Sequence, residues 1–365
     1  MMALAMLIPA QAQWVAVDPT FPAGGGPDSF VTALALDGEG RLLVSGQFTT
    51  VDGVVRPRLA RLLPDGTLDE SFTPSIDRRV GRIQPLADGR VLITAGFTNV
   101  NGVFRPGLAR LQADGSLDPG FAPPALPDPE QSLTGTAAPD GTVYVTGAFT
   151  NLGGLPRNRL ARLLSSGAVD AAFEAPFGPE DRVSVLAVQA DGKPLVSGSF
   201  TKVAGLSLPH LARLQLDGSV DATYRPPLDP AWEPDRALLL PDGRLLLAVQ
   251  LPASEPGLYR PTLLLRLTGE GSLDPTFDAA LGWPGALVEG AVRSLAVQPD
   301  GRVLVGGLLY RVNRQPRVGI ARLEVDGTLD QCFEVPLSSE LFVPAMAVDA
   351  VGRVVIIHFS QSLQG

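Results

Sequence analysis

Three features of the sequence predict an all-β fold of the propeller type. An aromatic residue closes each of a series of similar segments: Phe21, Phe72, Phe121, Phe173, Tyr224, Phe277 and Phe333, at spacings of 51, 49, 52, 51, 53 and 56 residues. A period near 50 residues is that of propeller blades and exceeds a single β-helix rung. Apolar runs alternate with glycine-marked turns inside each segment, and no stretch carries a helical period. Six segments are complete, and a seventh begins at Phe342 with two strands before residue 365. Val15–Phe21 reads as the fourth strand of that last segment. The expectation is a seven-bladed β-propeller of four-stranded antiparallel blades, one blade closed by both chain termini.

Each element follows from local chemistry. VTALALDGEGRLLVSGQFTTVDG supplies an apolar strand, a turn and a Val/Leu-rich strand; RPRLARLLPDGTLDESF supplies a third strand, a turn and a short fourth. Pro64-Asp65-Gly66 reads as a three-residue hairpin loop, a type I turn followed by a left-handed residue that glycine adopts at least cost. Glycine recurs there as Gly115, Gly167, Gly218, Gly271 and Gly327, and the first hairpins end alike from Gly40 to Gly352. The middle aspartate can accept a hydrogen bond within its own turn.

That register makes a pairing prediction. About a loop centred on Asp65, Arg61 stands opposite Asp69. The same spacing pairs Arg110 with Asp118, Arg162 with Asp170, Arg213 with Asp221, Arg266 with Asp274 and Arg322 with Asp330. We read these pairs as cross-strand fasteners. An acid/base site is the alternative, but arginine cannot act as a general base and its charge opposes a metal beside the aspartate.

Composition limits the function. The net charge is −9 and arginines are dispersed, which argues against nucleic-acid binding. A single cysteine, Cys332, allows no internal disulfide and reads as a buried or half-buried thiol. His210 and His358 are the only histidines, and no metal or triad spacing involves them. No apolar run reaches the length of a membrane span. Residues 1–13 read as a truncated signal peptide, with Ala10-Gln11-Ala12 as the cleavage site, or as an extra strand from 3 to 8; residues 14–365 form one propeller domain with its C-terminal blade incomplete. No cofactor is predicted; a calcium site is conceivable but each Asp-Gly turn offers few oxygens.

GRLLVSGQFTTVDGVVRPRLARLLPDGTLDESF resembles the delta-60 repeat, a β-propeller family of bacterial secreted and surface proteins. The likeness rests on Gly46 to Thr49 (G-x-F-T) and Leu59 to Phe72 (ARL-x-x-DGSLD-x-x-F), and ARLQADGSLDPGF at 109–121 is closer still. It covers nearly the whole chain from about Trp14. Segment five departs, with LAVQLPASEPG in place of G-x-F-T. The resemblance implies a fold and a secreted or cell-surface location, and no reaction.

Function is expected where the pattern breaks. The tight Asp-Gly turns define one face; the opposite face carries the second-to-third loops and the connections between blades, which vary. Trp232, Glu233, Tyr259, Arg260, Trp283, Glu289, Tyr310 and Arg311 lie in these interruptions and suit protein or glycan recognition. Arg56, Arg58, Arg105, Arg157 and Arg159 are expected to latch blades through acids such as Asp77, Glu130 and Glu180. The first functional reading is a non-enzymatic, monomeric secreted scaffold binding an unknown protein or glycan. A polysaccharide hydrolase or lyase at the channel mouth would need paired carboxylates from several blades. The third reading is a purely structural module of a larger surface protein.

Overall fold

Runs such as LLVSG and VLIT, bounded by x-Asp-Gly, form strands because branched side chains pack on a pleated surface while the turn supplies the reversal. In a computed structural model of the chain, residues 26–125, 133–178, 180–253, 260–277, 285–333 and 342–359 are described, and every regular element among them is a strand. The signal reading of 1–13, the closing strand at Val15–Phe21, and Glu130, Tyr259 and Trp283 lie outside the described residues.

The repeats build small antiparallel sheets in chain order. In the first, Val31–Leu36 pairs with Leu42–Gly46, which pairs with Leu59–Leu62. The second, third and fourth repeat that order around Val91–Thr94, Val143–Thr146 and Pro194–Gly198. The expected fourth strand is shorter than a strand: it contacts the third at one bridge per repeat, Leu62 with Leu68 in the first. Proline, glycine or a polar residue follows within a few positions, so the ladder stops there. The expected register holds: Asp69 N donates to Arg61 O at 2.9 Å, and Gly66 N to Leu63 O at 2.8 Å.

The second-to-third connection is more regular than expected. In four repeats it is a two-residue hairpin joining two-residue strands, as in Thr50–Val51 and Val54–Val55, and in the sixth the end of Val303–Val312 turns in the same way into Gln315–Pro316. Its tip takes two consecutive left-handed residues, Asp52-Gly53 at φ 51° and 79° and Asn101-Gly102 at 50° and 76°, the signature of a type I′ turn.

The described chain forms two compact units, residues 26–225 and 226–359. Each is filled by the same residue types. Phe48, Phe97, Phe149 and Phe200 of the G-x-F-T element are buried in the first unit. In the second, Thr262–Leu267 pairs not only with Leu245–Gln250 but also with Ala286–Val297, so the fifth and sixth repeats share one continuous sheet. This joint lies where the sequence lacks G-x-F-T.

Candidate functional site

The repeated Arg–Asp pairs are all formed. Arg61 Nε donates to Asp69 Oδ2 at 2.7 Å, with equivalent contacts of 2.6–2.8 Å in the other five. Further interactions surround these pairs. Each guanidinium lies over the ring that closes its own repeat, as over Phe72 at 4.5 Å and Phe121 at 4.5 Å, so those aromatics are buried beneath arginine. In three pairs the fork's other arm reaches the next repeat: Arg61 Nη1 donates to Ala113 O (2.7 Å), Arg110 Nη2 to Ser165 O (2.9 Å) and Arg266 Nη1 to Val325 O (2.6 Å). The aspartate's second oxygen accepts from the chain two residues on, as Asp69 Oδ1 does from Ser71. Burial pushes the Asp69 carboxyl upward, but the bonds from Ser71 and Arg61 outweigh it and hold it below the usual range. A carboxylate so engaged is a structural anchor with no free oxygen for chemistry.

Arg56, Arg58, Arg105 and Arg157, expected to latch onto acids, donate to backbone carbonyls instead. Arg56 donates to Val55 O and Glu70 O, and Arg157 to Pro156 O, Asp170 O and Ala171 O, all in their own repeat. Arg58 reaches Gln47 O and Arg105 reaches Phe104 O. Carbonyls at the strand ends need donors, and these arginines are the nearest. Asp77, expected as a latch partner, is taken by Thr98, through its backbone N–H at 3.0 Å and its hydroxyl, and by Asn99. Asp28 is gripped by Thr49 in the same way, at 2.7 and 2.6 Å. In the first two repeats the G-x-F-T threonine is therefore a clamp on the connection entering its own repeat. Burial pushes Asp77 upward, yet Thr98 and Asn99 bring it down to about 2.

Of the recognition candidates, Glu233 is exposed and ion-paired to Arg260 at 2.9 Å, while Arg260 Nε also donates to Leu251 O. Trp232 is half-buried, and its N–H bonds Asp229 O. Glu289 stands opposite Arg311 on neighbouring strands, with Tyr310 44% exposed beside it. Both glutamates among the recognition candidates thus stand beside an arginine. Cys332 is exposed rather than half-buried, its N–H donating to Asp330 Oδ1.

A site the sequence reading did not assemble lies between the third and fourth repeats. A pocket of about 300 Å³ is lined by Thr134, Thr146, Arg159, Asp181, Arg182 and Ser184 among others. Thr134 and Thr146 are register partners at the end of one sheet. Asp181 Oδ2 accepts from Gly178 N at 2.7 Å, which fixes the carboxylate. Arg159 holds a left-handed backbone at φ 63°. Its position, three residues before the fastening arginine, is left-handed in five repeats: Arg58, Gly107, Arg159, His210 and Gly319. Comparing the repeats position by position is the signal that finds this site, since a bulky residue replaces glycine there.

Fold and site together define a β-repeat protein with fastened seams. Five of its segments, residues 40–72, 86–121, 138–173, 189–224 and 298–333, match the model of the DUF5122 beta-propeller, a domain of unknown function. The chain thus carries DUF5122 beta-propeller repeats, and the match skips the fifth segment. No curated protein sequence matches the chain. Among solved structures it is similar to a protein of unknown function from Bacteroides caccae (12% identity, TM-score 0.38, covering 74% of this chain and 87% of that one). It is also similar to a puromycin hydrolase mutant complexed with PGG (18%, TM-score 0.47, 92% and 55%) and to the N-terminal domain of Nup159 (11%, TM-score 0.31, 98% and 95%). Such likeness transfers neither activity nor partner.

Proposed function

We propose that this chain is a non-enzymatic, monomeric scaffold, secreted or on the bacterial cell surface, that presents one loop face to a protein or glycan. The observation that carries this reading is the left-handed position before the third strand. The frame repeats around it, while its side chain changes from glycine to arginine to histidine. Left-handed backbone at non-glycine residues clusters at binding sites. Glu233 and Glu289, each beside an arginine, favour holding a ligand over hydrolysing one. Screening the purified chain against glycan arrays and bacterial envelope fractions tests this; the expected result is a partner whose binding is lost on mutating this face, and hydrolysis of a bound polysaccharide would overturn it.

The scaffold is in this reading a single seven-bladed ring closed by both termini. Arg322 supports it. Its Nη1 is buried without an acceptor, whereas the equivalent arms of Arg61, Arg110 and Arg266 bond the next repeat's hairpin loop. A seventh hairpin would supply that carbonyl. Val17-Asp18-Pro19-Thr20-Phe21 differs by one residue from Leu273-Asp274-Pro275-Thr276-Phe277 and is its natural fourth strand. Deleting residues 1–21 is expected to lower the melting temperature and expose the chain's end to protease, and a peptide of residues 13–23 added in trans is expected to restore both. Unchanged stability on deletion would rule this closure out.

A further inference from the structure

We propose that Asn101-Gly102 is a self-modification site: the folded seam between the first and second repeats keeps Asn101 intact, and opening that seam exposes it to conversion into aspartate or isoaspartate. The chain's asparagines are Asn99, Asn101, Asn151, Asn158 and Asn313, and only Asn101 precedes glycine. The successor matters because asparagine is attacked by the backbone nitrogen that follows it, and a side chain on that residue would crowd the approach. The step balances with water alone. The Gly102 nitrogen gives its proton to solvent base and bonds Asn101 Cγ; the Cγ–Nδ2 bond breaks and Nδ2 leaves as ammonia. Water then opens the five-membered imide at one carbonyl or the other. One product is aspartate; the other is isoaspartate, whose main chain runs through the former side chain. Gly102 is exposed and a Cβ there would meet open space, so water reaches the turn.

In the folded chain the carboxamide is held at both ends. Its Oδ1 accepts from Ser75 N at 2.7 Å and its Nδ2 donates to Gly115 O at 2.9 Å. Ring closure makes the planar Cγ tetrahedral and expels Nδ2, so both bonds oppose it. The partners are fixed in turn: Asn101 N donates to Ser75 O at 2.7 Å, Thr73 N to Asp114 O at 3.0 Å, and Ile76 bridges Val100. The connection 73–77 is thus a strap, and only its release frees the carboxamide. Other repeats separate the ingredients. Asn313 has the same clamp, its Oδ1 accepting from Leu287 N at 2.9 Å and its Nδ2 donating to Gly327 O at 3.2 Å, but it precedes Arg314. Asp52-Gly53 has the glycine with aspartate already in place, and Asp52 Oδ1 accepts from Gly26 N at 2.7 Å. Aspartate at 101 therefore keeps the bond from Ser75 and loses the one to Gly115. Isoaspartate adds a carbon to the main chain of a two-residue turn, whose register tolerates no extra atom, so the strap cannot close on it. Conversion records opening of the seam and makes it permanent.

Peptide mapping by mass spectrometry reads the conversion in the full chain aged at mildly alkaline pH, with and without denaturing urea. Asn101 is expected to convert at least about tenfold more slowly in the folded chain than in urea, because the folded rate is limited by local opening. Asn313 is expected to change little in either, and Gly102→Ala to suppress conversion at 101 in urea. Gly115→Ala, which displaces the backbone lying over its hairpin, is expected to speed conversion in the folded chain; urea below the unfolding transition does the same to wild type and serves if that variant does not fold. Asn101→Asp is expected to melt slightly below wild type. After aging in urea and refolding, wild type is expected to lose clearly more melting temperature than Gly102→Ala aged alongside it, which controls for changes at the Asp-Gly turns. Equal rates in folded chain and urea, conversion of Asn313 as fast as Asn101 in urea, or equal losses on aging by wild type and Gly102→Ala would each overturn the proposal.

Discussion

At the scale of single residues, the repeated arginine is the centre of the molecule's bonding. Arg61 joins three things: the carboxylate of Asp69, the face of Phe72, and a carbonyl 52 residues on. Its side chain is 2% exposed, so little water is available to replace what is lost. Removing one member of such a pair leaves the other charge buried, which costs about 3–5 kcal/mol. Arg61→Ala is therefore expected to lower unfolding stability by roughly that much, and Arg61→Ala with Asp69→Ala by less, as read by denaturant melts. Arg61→Lys keeps the charge but has no fork to hold both acceptors; it is expected to behave closer to alanine than to wild type. None of these should change ligand affinity in the folded fraction. The Arg–Asp pairing was legible because hairpin register is a local property. The contacts with Ala113 and the Phe72 ring were not, since they depend on how one repeat stacks on the next.

At the scale of elements, the turns do two different jobs with the same residue. Gly115 and Gly102 both have positive φ, 86° and 76°. A Cβ on Gly102 would meet open space, whereas on Gly115 it would lie 2.7 Å from Pro74 Cδ and 2.9 Å from Pro74 N. Backbone of the preceding repeat runs directly over the hairpin, and Thr73 N donates to Asp114 O there. Gly102→Ala is expected to cost about 1 kcal/mol, the strain of a left-handed alanine. Gly115→Ala must also shift that neighbouring backbone, and its melting temperature is expected to fall clearly further. Sequence reasoning gave Gly115 its φ and missed its second constraint. It also passed over the type I′ hairpins, although Asp52-Gly53 and Asn101-Gly102 carry the strongest short hairpin signal. Their side chains clamp the incoming connection: Asn101 Oδ1 accepts from Ser75 N at 2.7 Å, and Asn313 Oδ1 from Leu287 N at 2.9 Å. The neighbouring strand pattern drew attention from them, and nothing local reveals which segment they hold.

At the scale of the whole molecule, acid should reveal how many carboxylates the fold employs. Burial raises Asp69, Asp118, Asp170, Asp221 and Asp274, but arginine, hydroxyl and backbone donors more than offset it, and all five sit below the usual range. A carboxyl depressed by folding stabilises the native state above its unfolded pKa, near 3.9, and that contribution is lost as pH falls through the folded value. Because the same device recurs in five repeats, stability is expected to be flat from neutral pH to about 5 and to drop steeply below about 4, as thermal melts across that range would read. A gentle, single-carboxyl slope would contradict this. The same repetition explains why the fifth segment can lose G-x-F-T: its third strand, Thr262–Leu267, gains a strand partner in Ala286–Val297 instead.

What the sequence determined by itself is the unit: strand, glycine-closed turn, fastened arginine and closing aromatic, because each depends on residues within about a dozen positions of one another. The tertiary structure decided what lies between units. Ala113 under Arg61 and Pro74 over Gly115 join residues roughly forty or more positions apart. Contacts at that separation are set by stacking geometry, to which no local pattern gives access. The candidate site belongs to this second kind, since its lining brings together residues of the third and fourth repeats.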